Sequence, residues 1–157
     1  MPDPNETTKY PEPLQDIIGL FEMLPEQERR ENLVLYSESA SSYAPATGET
    51  FDLEDVRKDE ECTDEVGVYL RIDGQDRAEF KITLGPKVQT LTKAMTSILC
   101  RGLSGQNAQS ILDIPADFVP RIIGAELVRL RSQTVYYVLG RIKGAIKVLL
   151  SRRRAAS

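Results

Sequence analysis

The chain has no histidine and no tryptophan. Without histidine the commonest zinc ligand and the commonest general base are missing, and every Ser-His or Cys-His catalytic pair is excluded. Cysteine occurs twice, as Cys62 and Cys100, with no CxxC spacing, so neither a zinc ribbon nor a thioredoxin-type motif is present. A Cys62–Cys100 disulfide is not expected, because the chain reads as cytoplasmic and a reducing compartment disfavours it. There is no glycine-rich phosphate loop and no calcium-loop spacing. No apolar run is long enough to cross a membrane, and the polar, proline-bearing first residues do not read as a signal peptide. The acidic run Asp59-Glu60-Glu61, continued by Asp64-Glu65, reads as a solvated loop in preference to a metal site.

What is present fits one domain of 157 residues. Residues 1–13 read as a disordered leader, 14–150 as the folded domain and 151–157 as a basic tail. A domain of this size buries roughly 70% of its unfolded surface, so no disulfide or metal is required to hold it. Charge is unevenly spread. Residues 1–65 carry 18 acidic and 5 basic side chains, a net of −13, and residues 66–157 carry 6 and 15, a net of +9. Two readings stay open: the halves attract each other within one fold, or each docks a partner of opposite charge. Ser151-Arg152-Arg153-Arg154 reads as a solvated helix terminus whose cations complement the helix dipole. With no aromatic-studded basic strand beside it, nucleic acid is not an expected partner.

The clearest local signal is a β-hairpin. Val66, Val68, Leu70 and Ile72 alternate with polar or small residues, and so do Ala78, Phe80, Ile82 and Leu84, with Asp73-Gly74 as a turn signal. Cys62 shares the parity of Val66 and Val68. If strand geometry reaches back that far, its thiol faces the buried layer. Before the hairpin, Leu14, Ile17, Ile18 and Phe21 recur at helical spacing, and Pro25 starts a second helix carrying Leu33, Val34 and Tyr36. Residues 44–65 lack periodicity, although Phe51, Leu53 and Val56 are candidates to pin the segment to the core. After the hairpin, Gly85-Pro86 opens a helix with Val88, Leu91, Met95, Ile98 and Leu99 buried and Gly102 as its stop. Cys100 lies beside that stripe and reads as structural. Short helices follow at Gln106–Leu112 and from Pro115. The longest runs from Arg131 to Leu150, with Arg141, Lys143 and Lys147 on its polar side. The expected class is α+β: a small antiparallel sheet (the hairpin plus a possible third strand) with helices packed on one face.

A cysteine without histidine still has chemistry open to it. Thiol–sulfur exchange needs some thiolate, access and two sulfurs in line, and no imidazole base. In its acidic loop Cys62 is expected to be quiet at rest and activated on docking.

These residues carry a resemblance to the SufE family, sulfur acceptors that partner cysteine desulfurases in iron–sulfur cluster assembly. It runs from about Leu14 to Leu150. Around the family's active cysteine, an acidic residue or glycine precedes Cys, then come two small or polar residues, any residue, Val and a hydrophobic strand. Here that reads Glu61-Cys62-Thr63-Asp64-Glu65-Val66. Arg30, Leu33 and Leu35 match the second-helix pattern, Gly102 with Gln106 to Ile111 matches the following helix pair, and Leu127, Arg131, Ser132 and Gln133 match the opening of the last helix. The chain departs from the pattern at Asp59 (usually hydrophobic), Asp64 (usually Ser), Gly67 (usually aromatic) and Thr134 (usually Gly).

The resemblance implies a SufE-like single domain acting as a persulfide relay, with no cofactor of its own. A SufS-like desulfurase, which uses PLP, carries sulfur as a persulfide on its own cysteine. Cys62 takes that sulfur, stimulates the desulfurase and passes sulfur to iron–sulfur scaffold proteins. Arg131 is the implied stabiliser of thiolate or persulfide charge, and Glu61, Thr63, Asp64, Glu65, Ser132 and Gln133 are the implied partner-binding residues. The resemblance also implies a monomer or dimer in the cytoplasm. A second reading is a non-catalytic interaction module on the same scaffold, one that regulates a desulfurase or another partner without accepting sulfur.

Overall fold

A computed structural model of the protein describes residues 9–60 and 62–156. Helix α1 (Glu12–Met23) buries Leu14, Ile17, Ile18 and Phe21, the one-face spacing of an amphipathic helix. Pro25 stops the chain from continuing straight on, and α2 (Glu26–Glu38) follows. Only Leu33 of α2 is fully buried, so this helix lies over the surface of α3. A short 3₁₀ turn spans Ala40–Tyr43.

The sheet has four antiparallel strands in the order β1 (Leu53–Arg57), β2 (Val66–Ile72), β3 (Arg77–Leu84) and β4 (Gln106–Asn107). β1, in the segment that shows no periodicity in the sequence, supplies the possible third strand and pairs Leu53 with Leu70 and Arg57 with Val66. The hairpin pairs Val66 with Leu84 and Ile72 with Ala78. Its turn is longer than the two-residue Asp73-Gly74 expectation. The Asp73 carboxylate accepts the Gln75 and Arg77 N–H groups, and Asp76, at φ 61°, takes the left-handed position. Short polar side chains such as Asp tolerate that conformation best after glycine. The residues expected to start a helix at Gln106 form the β4 bridge instead, and α4 (Ala108–Asp113) begins after it, capped by the Asn107 side chain.

Helix α3 (Thr90–Leu103) is the centre of the molecule, packed against α1, α2, β3 and α6. It is buried on most of its circumference, including Met95, Ile98, Leu99 and Leu103. Its buried hydroxyls are satisfied: Ser97 donates to the Tyr36 carbonyl at 2.6 Å and Thr96 to the Thr92 carbonyl at 2.8 Å. Gly102 does not end the helix. A Cβ there would meet the Leu14 backbone at 3.1 Å, so glycine is what allows α1 to approach.

Two short helices complete the layer, α4 and α5 (Phe118–Ile123), before α6 (Ala125–Ala156). The long helix begins earlier and ends later than the sequence suggests. It kinks at Arg131 (φ −130°, ψ 32°), where the sequence pattern places its start, and it continues through Arg152–Arg154. Arg153 explains the extension, since its guanidinium bonds the Ile72 carbonyl and lies 3.6 Å from the Asp52 carboxylate. Residues 1–8 of the expected leader lie outside the described residues. Tyr10 is buried, with its ring edge-on to Phe118.

Because α3 touches every layer, cutting back its core is felt globally. Ile98→Ala is expected to lower unfolding free energy by about 2–5 kcal/mol, read from the midpoint of a urea titration. A change below about 0.5 kcal/mol would show that α3 is not the core helix.

Candidate functional site: a buried thiol in a doubly anchored loop

The β1–β2 connection, residues 58–65, stands at the open end of the hairpin and carries Cys62. The thiol residue is 9% exposed and belongs to the apolar core cluster. It gets there by a turn: strand geometry starts at Val66, and the Cys62 N–H donates to the Asp59 carbonyl at 3.1 Å. Both cysteines are free. Burial pushes the Cys100 thiol in α3 up to about 12, which leaves it neutral and inert.

On one side the loop is tied to α6. Arg141 was expected on the polar side of that helix but is only 4% exposed. Its Nη2 donates to the Asp55 carbonyl at 2.7 Å and the Val66 carbonyl at 2.9 Å, one on each strand flanking the loop. The same nitrogen lies 3.3 Å from the Asp55 carboxylate. Nη1 donates to the Tyr137 hydroxyl at 2.7 Å, and that hydroxyl donates to Asp59 Oδ2 at 2.8 Å. Burial first, then the bond to Asp59, pushes the Tyr137 hydroxyl up to about 12, so it keeps its proton and remains a donor.

The other side is tied to the β3–α3 connection. The Thr63 hydroxyl donates to the Lys87 carbonyl at 2.9 Å, and the Gly85 N–H donates to the Glu65 carbonyl at 2.8 Å. Asp64 accepts the Lys87 N–H at 2.8 Å and the Glu65 N–H at 2.7 Å. These bonds, Lys87 first, hold its carboxyl below the usual aspartate value. The carboxylate occupies the space over Gly85, where a Cβ would lie 2.3 Å from Asp64 Cγ. Asp64 and Gly85 therefore form one fitted pair. Gly67 is enclosed in the same way by Thr83, Val56 and Tyr69, which fill the place of the larger residue in the family pattern.

The remaining sequence-selected residues fall elsewhere. Glu61 lies outside the described residues. Arg131, Ser132 and Gln133 are exposed at the α6 kink. Among the described residues Arg131 makes no hydrogen bond or ion pair. It borders a groove of about 340 Å³ with Leu33, Val34, Leu91 and Leu127. Leu130 (65% exposed) and Leu35 (61%) add uncovered apolar surface. The α6 residues that reach the cysteine loop are Tyr137 and Arg141, which sequence reasoning missed. The available signals were their i, i+4 spacing and an acid at position 59, where the family pattern is hydrophobic. Among the described residues no cluster of three or more His, Cys, Asp or Glu is placed to hold a metal.

The site is thus an α+β scaffold that presents one loop thiol, withheld in the core. The family model "SufE: Fe-S metabolism associated domain" matches residues 15–146, most of the chain. The protein belongs to the SufE family, whose members act in sulfur transfer and as partners in iron–sulfur metabolism. Its fold is similar to a solution structure of a hypothetical protein from Thermus thermophilus, with a TM-score of 0.67, 22% identity, and coverage of 90% of this chain and 98% of that one. No curated protein matches the chain.

The Asp64 anchor has a pH signature. Its folded value is depressed, so its contribution is complete above the ordinary aspartate value and is lost as pH falls through the folded value. Urea midpoints for wild type should exceed those of Asp64→Asn at neutral pH, and the gap should close below about pH 4. A gap that is constant with pH would show that the charge on Asp64 plays no part.

Proposed function

We propose that Cys62 accepts sulfur from a PLP-dependent cysteine desulfurase in the cytoplasm, stimulates that enzyme and passes the sulfur to iron–sulfur scaffold proteins. The Cys62 thiolate attacks the outer sulfur of the donor's persulfide. The donor S–S bond breaks, its cysteine leaves as a thiolate, and Cys62 becomes the persulfide with no net oxidation or reduction. The observation that carries this reading is the contrast between the two thiols of a SufE-family chain. Cys100 is locked neutral inside α3, whereas Cys62 sits in a loop tied to its neighbours by a small set of separable polar contacts.

Once that loop swings out, Glu61, Thr63, Asp64 and Glu65 turn toward the partner, together with Ser132 and Gln133 at the α6 kink. Arg131, exposed and without a partner among the described residues, supplies positive charge to the thiolate or persulfide. The protein acts as a monomer or dimer, without nucleic acid or a membrane.

A second reading has one observation in its favour. Asp59 and Asp64, the two departures from the family pattern nearest the cysteine, are the residues that tie the loop down. A loop that never opens suits a regulatory module that binds a desulfurase without accepting sulfur.

Intact mass with peptide mapping, after incubation with an active cysteine desulfurase, PLP and cysteine, separates the two. One reductant-labile sulfur on Cys62, absent in Cys62→Ser, is expected for the carrier. An unmodified Cys62, with stimulation of the desulfurase preserved in Cys62→Ser, would establish the regulatory module.

A further inference from the structure

We infer that Asp59 and Tyr137, set in place by Arg141, form a latch that governs how often the Cys62 loop opens. They are positioning residues for the thiol and touch no reacting atom. The claim rests on the reading that Cys62 must leave the core to meet a partner's sulfur.

The bonds divide into a hinge and a catch. Arg141 Nη2 grips the Asp55 and Val66 carbonyls, one on each side of the loop, so both strand ends stay fixed when the loop moves. The Cys62 N–H to Asp59 carbonyl bond lies within the loop and travels with it. The Tyr137–Asp59 bond is different, because it joins the loop to α6. If Asp59 and Cys62 swing out together, that bond must break while the Arg141 grip remains.

Breaking it is costly. Tyr137 is buried, and once Asp59 leaves, its hydroxyl proton loses its protein acceptor, although Arg141 still donates to its oxygen at 2.7 Å. Arg141 Nη1, 3.5 Å from Asp59 Oδ2, loses part of its compensating charge. The Arg57 contact to Asp59 Oδ1 at 3.2 Å adds little, since the Arg57 side chain is more than half exposed. A hydrophobic residue at position 59 would hold the loop by burial alone, without direction. The carboxylate makes the closed state a directional two-partner contact with a defined open alternative.

Alkylation of Cys62 by iodoacetamide under native conditions tests this without a desulfurase. Rates are measured in a Cys100→Ser background. Tyr137→Phe removes one oxygen and is expected to raise the Cys62 rate roughly ten- to hundred-fold. Asp59→Ala should do the same, and Asp59→Asn, which keeps an acceptor oxygen, should fall between. The double variant Tyr137→Phe/Asp59→Ala should be no faster than either single variant, because both break the same bond. Cys100 alkylation, followed in a Cys62→Ser background, should not change. Unaltered Cys62 rates, fully multiplicative effects, or a parallel rise at Cys100 would each overturn the latch, the last by showing global destabilisation. The sulfur-loading experiment is independent. Loading of Cys62 with unaltered alkylation rates would sink the latch and leave the carrier standing. Raised rates with no loading would do the reverse.

Discussion

Burying the Arg141 guanidinium takes a full charge out of water, and the surrounding structure is arranged to offset that loss. An unpaired ion in the interior costs several kcal/mol even after relaxation. The compensation comes from two backbone carbonyls, a tyrosine hydroxyl and the carboxylates of Asp55 and Asp59. These groups sit on β1, β2, the loop between them and α6, so one side chain requires all four to assemble. Removing it would orphan carbonyls and acids together. Even so, Nε has no partner among the described residues, and part of the desolvation cost stays unrecovered. A buried charge of this kind gives direction more than net stability. It specifies where the loop stems lie and leaves the loop itself to weaker contacts.

The opposed charges of the two halves of the chain find each other within the fold. Asp52 faces Arg153, Asp55 and Asp59 face Arg141, Glu22 bonds Arg121 and Glu49 bonds Arg71. The Glu22, Glu49 and Asp52 pairs are partly exposed, and each contributes at most about 1 kcal/mol. Only the Asp52 pair reaches the long helix; the Glu22 pair joins α1 to α5 and the Glu49 pair ties the segment before β1 to β2. Arg131, at the α6 kink and without a partner among the described residues, lies apart from this network, next to the groove between α2 and the start of α3.

A persulfide relay needs a thiol that is sheltered between transfers and exposed during them. The two cysteines show how environment divides these properties. Cys100 is buried within the core helix α3 and has no route out short of unfolding. Cys62 is nearly as buried, but its shelter is a short loop whose contacts are separable bonds to α6 and to the β3–α3 connection. The difference lies in local opening energy, which follows from how many contacts must break together.

Much of this was legible in the sequence, and the line between legible and hidden has a physical basis. Alternation at Val66–Ile72 and Ala78–Leu84, and helical spacing in α1 and α3, are local signals because one-sided burial imprints its period on neighbouring residues. They were sufficient for the α+β class, the hairpin and the position of Cys62 at its mouth. The family resemblance was likewise legible, because the motifs that carry it are short and contiguous. The folded structure alone decided the identity of β1, whose pairing with β2 supplies order its own residues do not encode, and the longer turn around Asp76. It also placed Arg141 in the core and drew α6 on past Leu150 through Arg153. Each of these depends on a partner far along the chain. A period says which face is buried, but it does not say which distant carbonyl, hydroxyl or carboxylate will meet a side chain there.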